Sequence, residues 1–115
     1  MQKIYCFVSD LLFKTKIEET AKHLGKEIEF FSSEKDFFEL KEFPSLIIFD
    51  LNNSQIDAID FAKKLKANSK TNSIKLIGYL SHVQTELNKQ ARDAGFDQVL
   101  PRSLFSQKLA EILSQ

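Results

Sequence analysis

Four consecutive large apolar residues, Leu46-Ile47-Ile48-Phe49, run directly into Asp50 and then Leu51-Asn52. A strand with no polar face has nothing to offer water, so it must be covered on both sides. That situation belongs to parallel sheets flanked by helices. Open sheets of this kind bind their ligands beyond the carboxyl ends of the strands. A carboxylate at the end of a buried strand is costly to place without a compensating function, so Asp50 sits where such a fold would do its chemistry.

The rest of the chain repeats the same alternation. Ile4 to Val8 reads as a first strand. Phe13, Ile17, Ala21 and Leu24 then fall at helical spacing, and Gly25 supplies a stop. Glu27 to Phe31 reads as a second strand. Ser33 with Asp36 forms a variant capping box that opens a short helix through Phe37 and Leu40, ended by Pro44. Residues 46–50 are the third strand, and Ala58, Phe61, Ala62 and Leu65 mark the helix after it. Ile74 to Leu80 is the fourth strand; Val83, Leu87, Ala91 and Ala94 mark the next helix, closed by Gly95. Gln98 to Leu100 is a short fifth strand, and Leu109, Ile112 and Leu113 give the last helix its apolar face. A (βα)5 alternation implies a doubly wound α/β fold with helices on both faces of a parallel sheet and right-handed crossovers. The flavodoxin-like strand order 2-1-3-4-5 is the common five-stranded solution.

Composition removes several classes of function. The chain has 115 residues, the size of one domain, and 1–115 reads as a single domain with no second unit attached. Sixteen Lys plus Arg balance sixteen Asp plus Glu, which leaves no electrostatic case for nucleic acid or an acidic membrane surface. No apolar run approaches the roughly 18 residues of a membrane span, and the amino terminus has no signal-peptide pattern. The one cysteine, Cys6, cannot close an internal disulfide, which suits a reducing cytoplasm. Eleven Phe and no Trp imply a phenylalanine-rich core.

The strand exits carry the chemistry. Strand 1 exits at Ser9-Asp10, strand 3 at Asp50 with Asn52 two residues on, strand 4 at Ser81-His82 and strand 5 at Pro101-Arg102. In a parallel sheet these ends converge, placing two carboxylates, a hydroxyl and a cation on one edge. Two carboxylates and a backbone carbonyl suit Mg²⁺, which takes few protein ligands and keeps its waters. Asp10, Asp50 and Asn52 form that weak candidate metal set. A carboxylate can also act as a nucleophile and form an aspartyl-phosphate, with hydroxyl and cation sharing the phosphoryl charge. Asp50, Ser81 and Arg102 are the candidate reactive residues.

With these residues in view, the whole chain resembles a response-regulator receiver domain of the chemotaxis type. Ile48 to Ala58 resembles the family's stretch from the phosphorylated Asp to its "MDG" turn, with Asp50 in the acceptor place, Asp57 as the turn Asp and Ala58 for the Gly. Ala94-Gly95-Phe96-Asp97 resembles the family's "AGA-D", Ser81 matches its Thr/Ser, and Asp10 matches the second residue of its acidic pair. The sequence also departs from the pattern. Ser9 replaces the first acid, Arg102 the lysine, and Ser103 the proline after it. His82 stands at a normally small position, Val99 at the switch aromatic, and Asn53-Ser54 where a proline is usual.

The resemblance implies an atypical stand-alone receiver in two-component phosphorelay signalling. It would not be an enzyme in its own right. It would take a phosphoryl group on Asp50 from a histidine kinase or phosphotransfer protein, with Mg²⁺ bound weakly, and signal by docking to a downstream protein. The alternative within the fold is a phosphorylation-independent pseudo-receiver adaptor. Single residues keep two readings each. Asp10 is a metal ligand or the cap of helix 1; Ser81 is a phosphoryl contact or the cap of helix 4; Arg102 is the planar partner of Asp50 or a surface cation. His82 is a bulky neighbour of the site or an exposed helix start. A phosphotransferase-type enzyme subunit using Cys6 is disfavoured, because Cys6 lies in mid-strand rather than in an electropositive loop. A flavin carrier is disfavoured because Asp10-Leu11-Leu12, not a phosphate-binding loop, follows strand 1.

Overall fold

A computed structural model describes residues 3–53, 56–81 and 84–114. In chain order the elements are β1 (Lys3–Phe7), α1 (Leu11–His23), β2 (Glu27–Phe30), α2 (Glu34–Phe38), β3 (Leu46–Asp50), α3 (Ala58–Ala67), β4 (Lys75–Leu80), α4 (Thr85–Ala94), β5 (Gln98–Pro101), α5 (Arg102–Gln107) and α6 (Leu109–Leu113). The five strands form one sheet in the order β2-β1-β3-β4-β5. Every pairing is parallel. This is the doubly wound, flavodoxin-like arrangement expected from the alternation.

The unbroken apolar run of β3 is explained by two cores. Ile47 and Phe49 enter one with Tyr5, Phe7, Phe37, Phe61, Leu65 and Phe96; Leu46 and Ile48 enter the other with Ile4, Cys6, Ile17, Ile77, Phe105 and Ile112. Alternate side chains leave opposite faces of a strand, so a strand buried on both faces needs apolar residues at both parities. The first core is phenylalanine-rich. Phe7 stacks on Phe49 at 5.2 Å, and Phe61 meets Phe7 edge-on at 4.9 Å. Each such ring contributes roughly 1.5–3 kcal/mol by burial, and well-oriented ring pairs add about 0.5–1.5 kcal/mol.

Local signals set the helix ends. Ser33 accepts the Asp36 amide at the start of α2, and Asp57 accepts the Asp60 amide at 3.1 Å at the start of α3. Gly95 closes α4 at φ 114, a backbone conformation that side chains rarely adopt, and a Cβ there would also push the Lys66 side chain aside. Several boundaries differ from the sequence reading: β1 runs Lys3–Phe7, β2 ends at Phe30, β4 begins at Lys75 and β5 ends at Pro101. α2 ends at Phe38, with Glu39 as its cap, short of Leu40. The last helix begins at Arg102 and is broken at Lys108 (φ −97, ψ 9) into α5 and α6. Bonds from Lys108 N to Leu104 O and from Ile112 N to Lys108 O carry the chain through the break, so Phe105 and Leu109 reach the same core.

Candidate functional site

Because all strands run the same way, the exits of β1, β3, β4 and β5 lie on one edge. Asp10 follows β1 in an extended conformation and caps α1. Its Oδ1 accepts Leu12 N at 2.9 Å and Phe13 N at 3.3 Å. Its Oδ2 accepts from Arg102 Nη2, so the carboxylate is divided between a helix cap and an ion pair. Arg102 is the first residue of α5, and its guanidinium carbon stands 4.2 Å from the centre of the Phe13 ring. Cap, cation and ring therefore meet at the start of α1. Burial alone would raise the Asp10 carboxyl, but bonds from Phe13 N, Arg102 and Leu12 N outweigh it and hold it below the usual range.

Asp50 closes β3 and is 9% exposed. Its Oδ1 accepts Asn52 N at 2.9 Å, and its carbonyl accepts Asn53 N at 3.0 Å, so the chain turns tightly after the carboxylate. Burial raises its carboxyl above the usual value. The Asn52 bond and the Arg102 charge oppose that rise, and the Asp10 charge adds to it. The two carboxylates thus have opposite environments: the Asp10 carboxyl is pulled down and the Asp50 carboxyl is pushed up.

Asn52 does more than turn the chain. Its Oδ1 accepts Ser81 N at 2.8 Å, and its Nδ2 donates to Gln84 Oε1 at 3.0 Å. The amide side chain ties the loop after β3 to the segment leading from β4 into α4. Gln84 is the α4 cap residue and makes no side-chain cap bond, because its amide oxygen is given to Asn52.

The structure therefore gathers Asp10, Asp50, Arg102, Asn52 and Ser81 at one edge, and it corrects two expectations. The guanidinium of Arg102 pairs with Asp10 and not with Asp50, because the same turn of α1 offers it both a carboxylate and the face of Phe13. Ser81 is not the cap of α4; Gln84 holds that place. Of the two readings of Asp10, the cap of α1 is seen directly, and its second oxygen is taken by Arg102. The positions of His82, Val83, Ser54 and Gln55 lie outside the described residues. Cys6 is wholly buried, and burial pushes its thiol up, as suits a core residue.

Asp10, Asp50 and Asn52, the residues that would hold a divalent ion, lie at this edge; both oxygens of Asp10 are engaged here, one by the Arg102 guanidinium, so an ion bound there would take the place of that contact. Sequence reasoning missed two participants. Helical spacing reads Phe13 only as part of an apolar stripe, although it follows Asp10 by one helical turn. Tyr79 lies two residues before Ser81 and in register beside Asp50, and strand parity alone places it on the same face.

No protein-family model matches the sequence, and no curated protein matches it. Solved structures match its fold closely. They include the Mn²⁺-bound form of response regulator Rcp1 (14% identity, TM-score 0.85, covering 99% of this chain and 93% of that one). Chemotaxis response regulator CheY4 of Vibrio cholerae matches at 15% identity and TM-score 0.82, covering 99% and 97%. The signal receiver domain of a DNA-binding response regulator from Colwellia psychrerythraea matches at 14% identity and TM-score 0.81, covering 100% of both chains. These structural neighbours are response-regulator receiver domains, and the fold of this chain is theirs.

Proposed function

We propose that this chain is a receiver-type signalling module that works by docking to other proteins, with Asp50 as its acceptor and Arg102 holding the acidic site closed at rest. The Arg102–Asp10 pair carries this reading. In such a site an Asp50 oxygen attacks the phosphorus of a donor. The new O–P bond forms as the bond to the donor's leaving atom breaks, and the transferred group brings negative charge to the edge. Arg102, drawn from Asp10, answers that charge, and the Ser81 hydroxyl donates to the same group in this reading. The donor would be a histidine kinase or phosphotransfer protein. Leu11 and Leu12, 75% and 78% exposed beside Asp10, supply apolar surface for docking at the mouth of the site. A cytoplasmic setting is consistent with the free Cys6, and no helix among the described residues is long and apolar enough to cross a membrane. We do not assign the chain an activity on a separate substrate.

A second reading, a phosphorylation-independent adaptor, is favoured by the full engagement of Asp10 and by Ser9 in place of a further acid. It requires only that the closed site never opens. Incubation with acetyl phosphate followed by intact-mass measurement separates the two. The expected result is slow uptake by the wild type, none by Asp50→Asn, and faster uptake by Arg102→Lys, whose compact ammonium clasps a carboxylate less firmly. Uptake persisting in Asp50→Asn overturns the acceptor assignment. No uptake by either wild type or Arg102→Lys leaves the adaptor.

A further inference from the structure

Tyr79 of β4 stands in register beside Asp50 of β3. In-register neighbours in a parallel sheet leave the same face. The residue is 2% exposed. Its ring stacks on Phe105 at 4.7 Å and lies 5.0 Å from Phe13, the ring that carries the Arg102 guanidinium. Tyr79 is thus part of an aromatic floor beneath the Arg102–Asp10 pair. A floor needs only ring surface, which phenylalanine would supply. The hydroxyl is the anomaly: it is buried and has no hydrogen-bond partner among the described residues. An unpaired buried hydroxyl is a serious cost to a small domain, and buried polar groups in native proteins are nearly always satisfied by protein or ordered water. Beside it, Asp50 spends Oδ1 on the Asn52 amide. Burial is the largest influence on the phenol, and Asp50 is the largest charged one, ahead of Arg102 and Asp10.

We propose that the Tyr79 hydroxyl is a hydrogen-bond donor of the acidic site, joined through one buried water to the Oδ2 of Asp50, and that it is a positioning residue that fixes the Asp50 carboxylate. Such a water would need room beside the Tyr79 hydroxyl and would take the Asp50 carboxylate as a second polar partner. The hydroxyl then holds one carboxylate oxygen from below while Asn52 N holds the other from the loop. Tyr79 acts through Asp50 and does not itself react. Its effect on phosphoryl uptake rests on the acceptor reading; the hydrogen bond does not.

The chain has no Trp and only two tyrosines, so in a Tyr5→Phe background every tyrosine signal belongs to Tyr79. Proton NMR of that protein should show a slowly exchanging Tyr79 hydroxyl resonance that shifts on Asp50→Asn. Urea unfolding at pH 7 should find Tyr79→Phe lowering the folding constant about tenfold with Asp50 present, and much less in an Asp50→Ala background. If Tyr79→Phe raises stability equally in both backgrounds and no hydroxyl resonance is protected, the hydroxyl is merely an orphan and the proposal is overturned. Uptake from acetyl phosphate should be slower in Tyr79→Phe than in wild type. If neither wild type nor Arg102→Lys takes up any, the acceptor reading fails, while the resonance and the unfolding cycle still decide the hydrogen bond.

Discussion

At the scale of single residues, Asp10 carries the most roles and makes the clearest prediction. It caps α1 with Oδ1 and pairs with Arg102 through Oδ2. Asp10→Ala removes both; loss of the cap alone costs about 1 kcal/mol, and Arg102 is left without its carboxylate. Because the Asp10 carboxyl is held below its ordinary range in the folded state, its contribution to stability is complete above that range and is lost as pH falls through the lowered value. Asp50 acts in the opposite sense. Its carboxyl is raised by burial, so protonation relieves the folded state, and its contribution is lost as pH rises through the raised value. Urea titrations from neutral to acid pH should therefore show a shallower acid loss for Asp10→Asn than for wild type. Asp50→Asn should remove the opposing gain and steepen the acid loss. An unchanged profile in Asp10→Asn would mean that its folded and unfolded carboxyls titrate alike.

At the scale of elements, the tie through Asn52 links the loop after β3 to the entry of α4. α4 leans on the body through few apolar residues: Ala91 and Ala94 are buried, and Leu87 is only partly so. A helix held this lightly depends on its ends, and at its start the Asn52–Gln84 bond stands in for a side-chain cap. Asn52→Ala removes the acceptor of the Ser81 amide and the donor to Gln84 while leaving the Asn52 N to Asp50 bond in place. Hydrogen exchange should show the Ser81 amide and the first turn of α4 opening faster, about tenfold for one lost hydrogen bond, with α3 unchanged. Equal protection in the variant would show that packing of Leu87 and Ala91 alone sets the α4 entry.

At the scale of the whole molecule, the sheet divides the interior into two cores, and the phenylalanine-rich one carries much of the stability. Phe61 is fully buried and touches Phe7, Phe37, Phe38 and Phe49. Phe61→Ala should cost about 3–5 kcal/mol, a large part of what a domain of this size possesses. Urea unfolding measures it, and a loss below about 1 kcal/mol would mean that the cluster repacks around the cavity. The site lies on the edge shared by both cores, with Asp50 ending the strand that both of them bury.

Hydrophobic period determined most of this architecture from the sequence alone. Runs such as Leu46 to Phe49 and spacings such as Ala58, Phe61, Ala62 and Leu65 are sums over many residues, and no single contact can overturn them. The same logic brought Asp10, Asp50, Ser81 and Arg102 to one edge, since strand direction decides where a strand exit lies. Tertiary structure alone decided how those groups pair. Arg102 chooses Asp10 because α1 offers it a carboxylate and the face of Phe13 in one turn. Asn52 reaches across to Ser81 and Gln84, and the Tyr79 ring comes to lie against Phe13, the ring that carries the Arg102 guanidinium. Each of these depends on distances of a few ångströms between residues far apart in the chain, which periodicity does not encode.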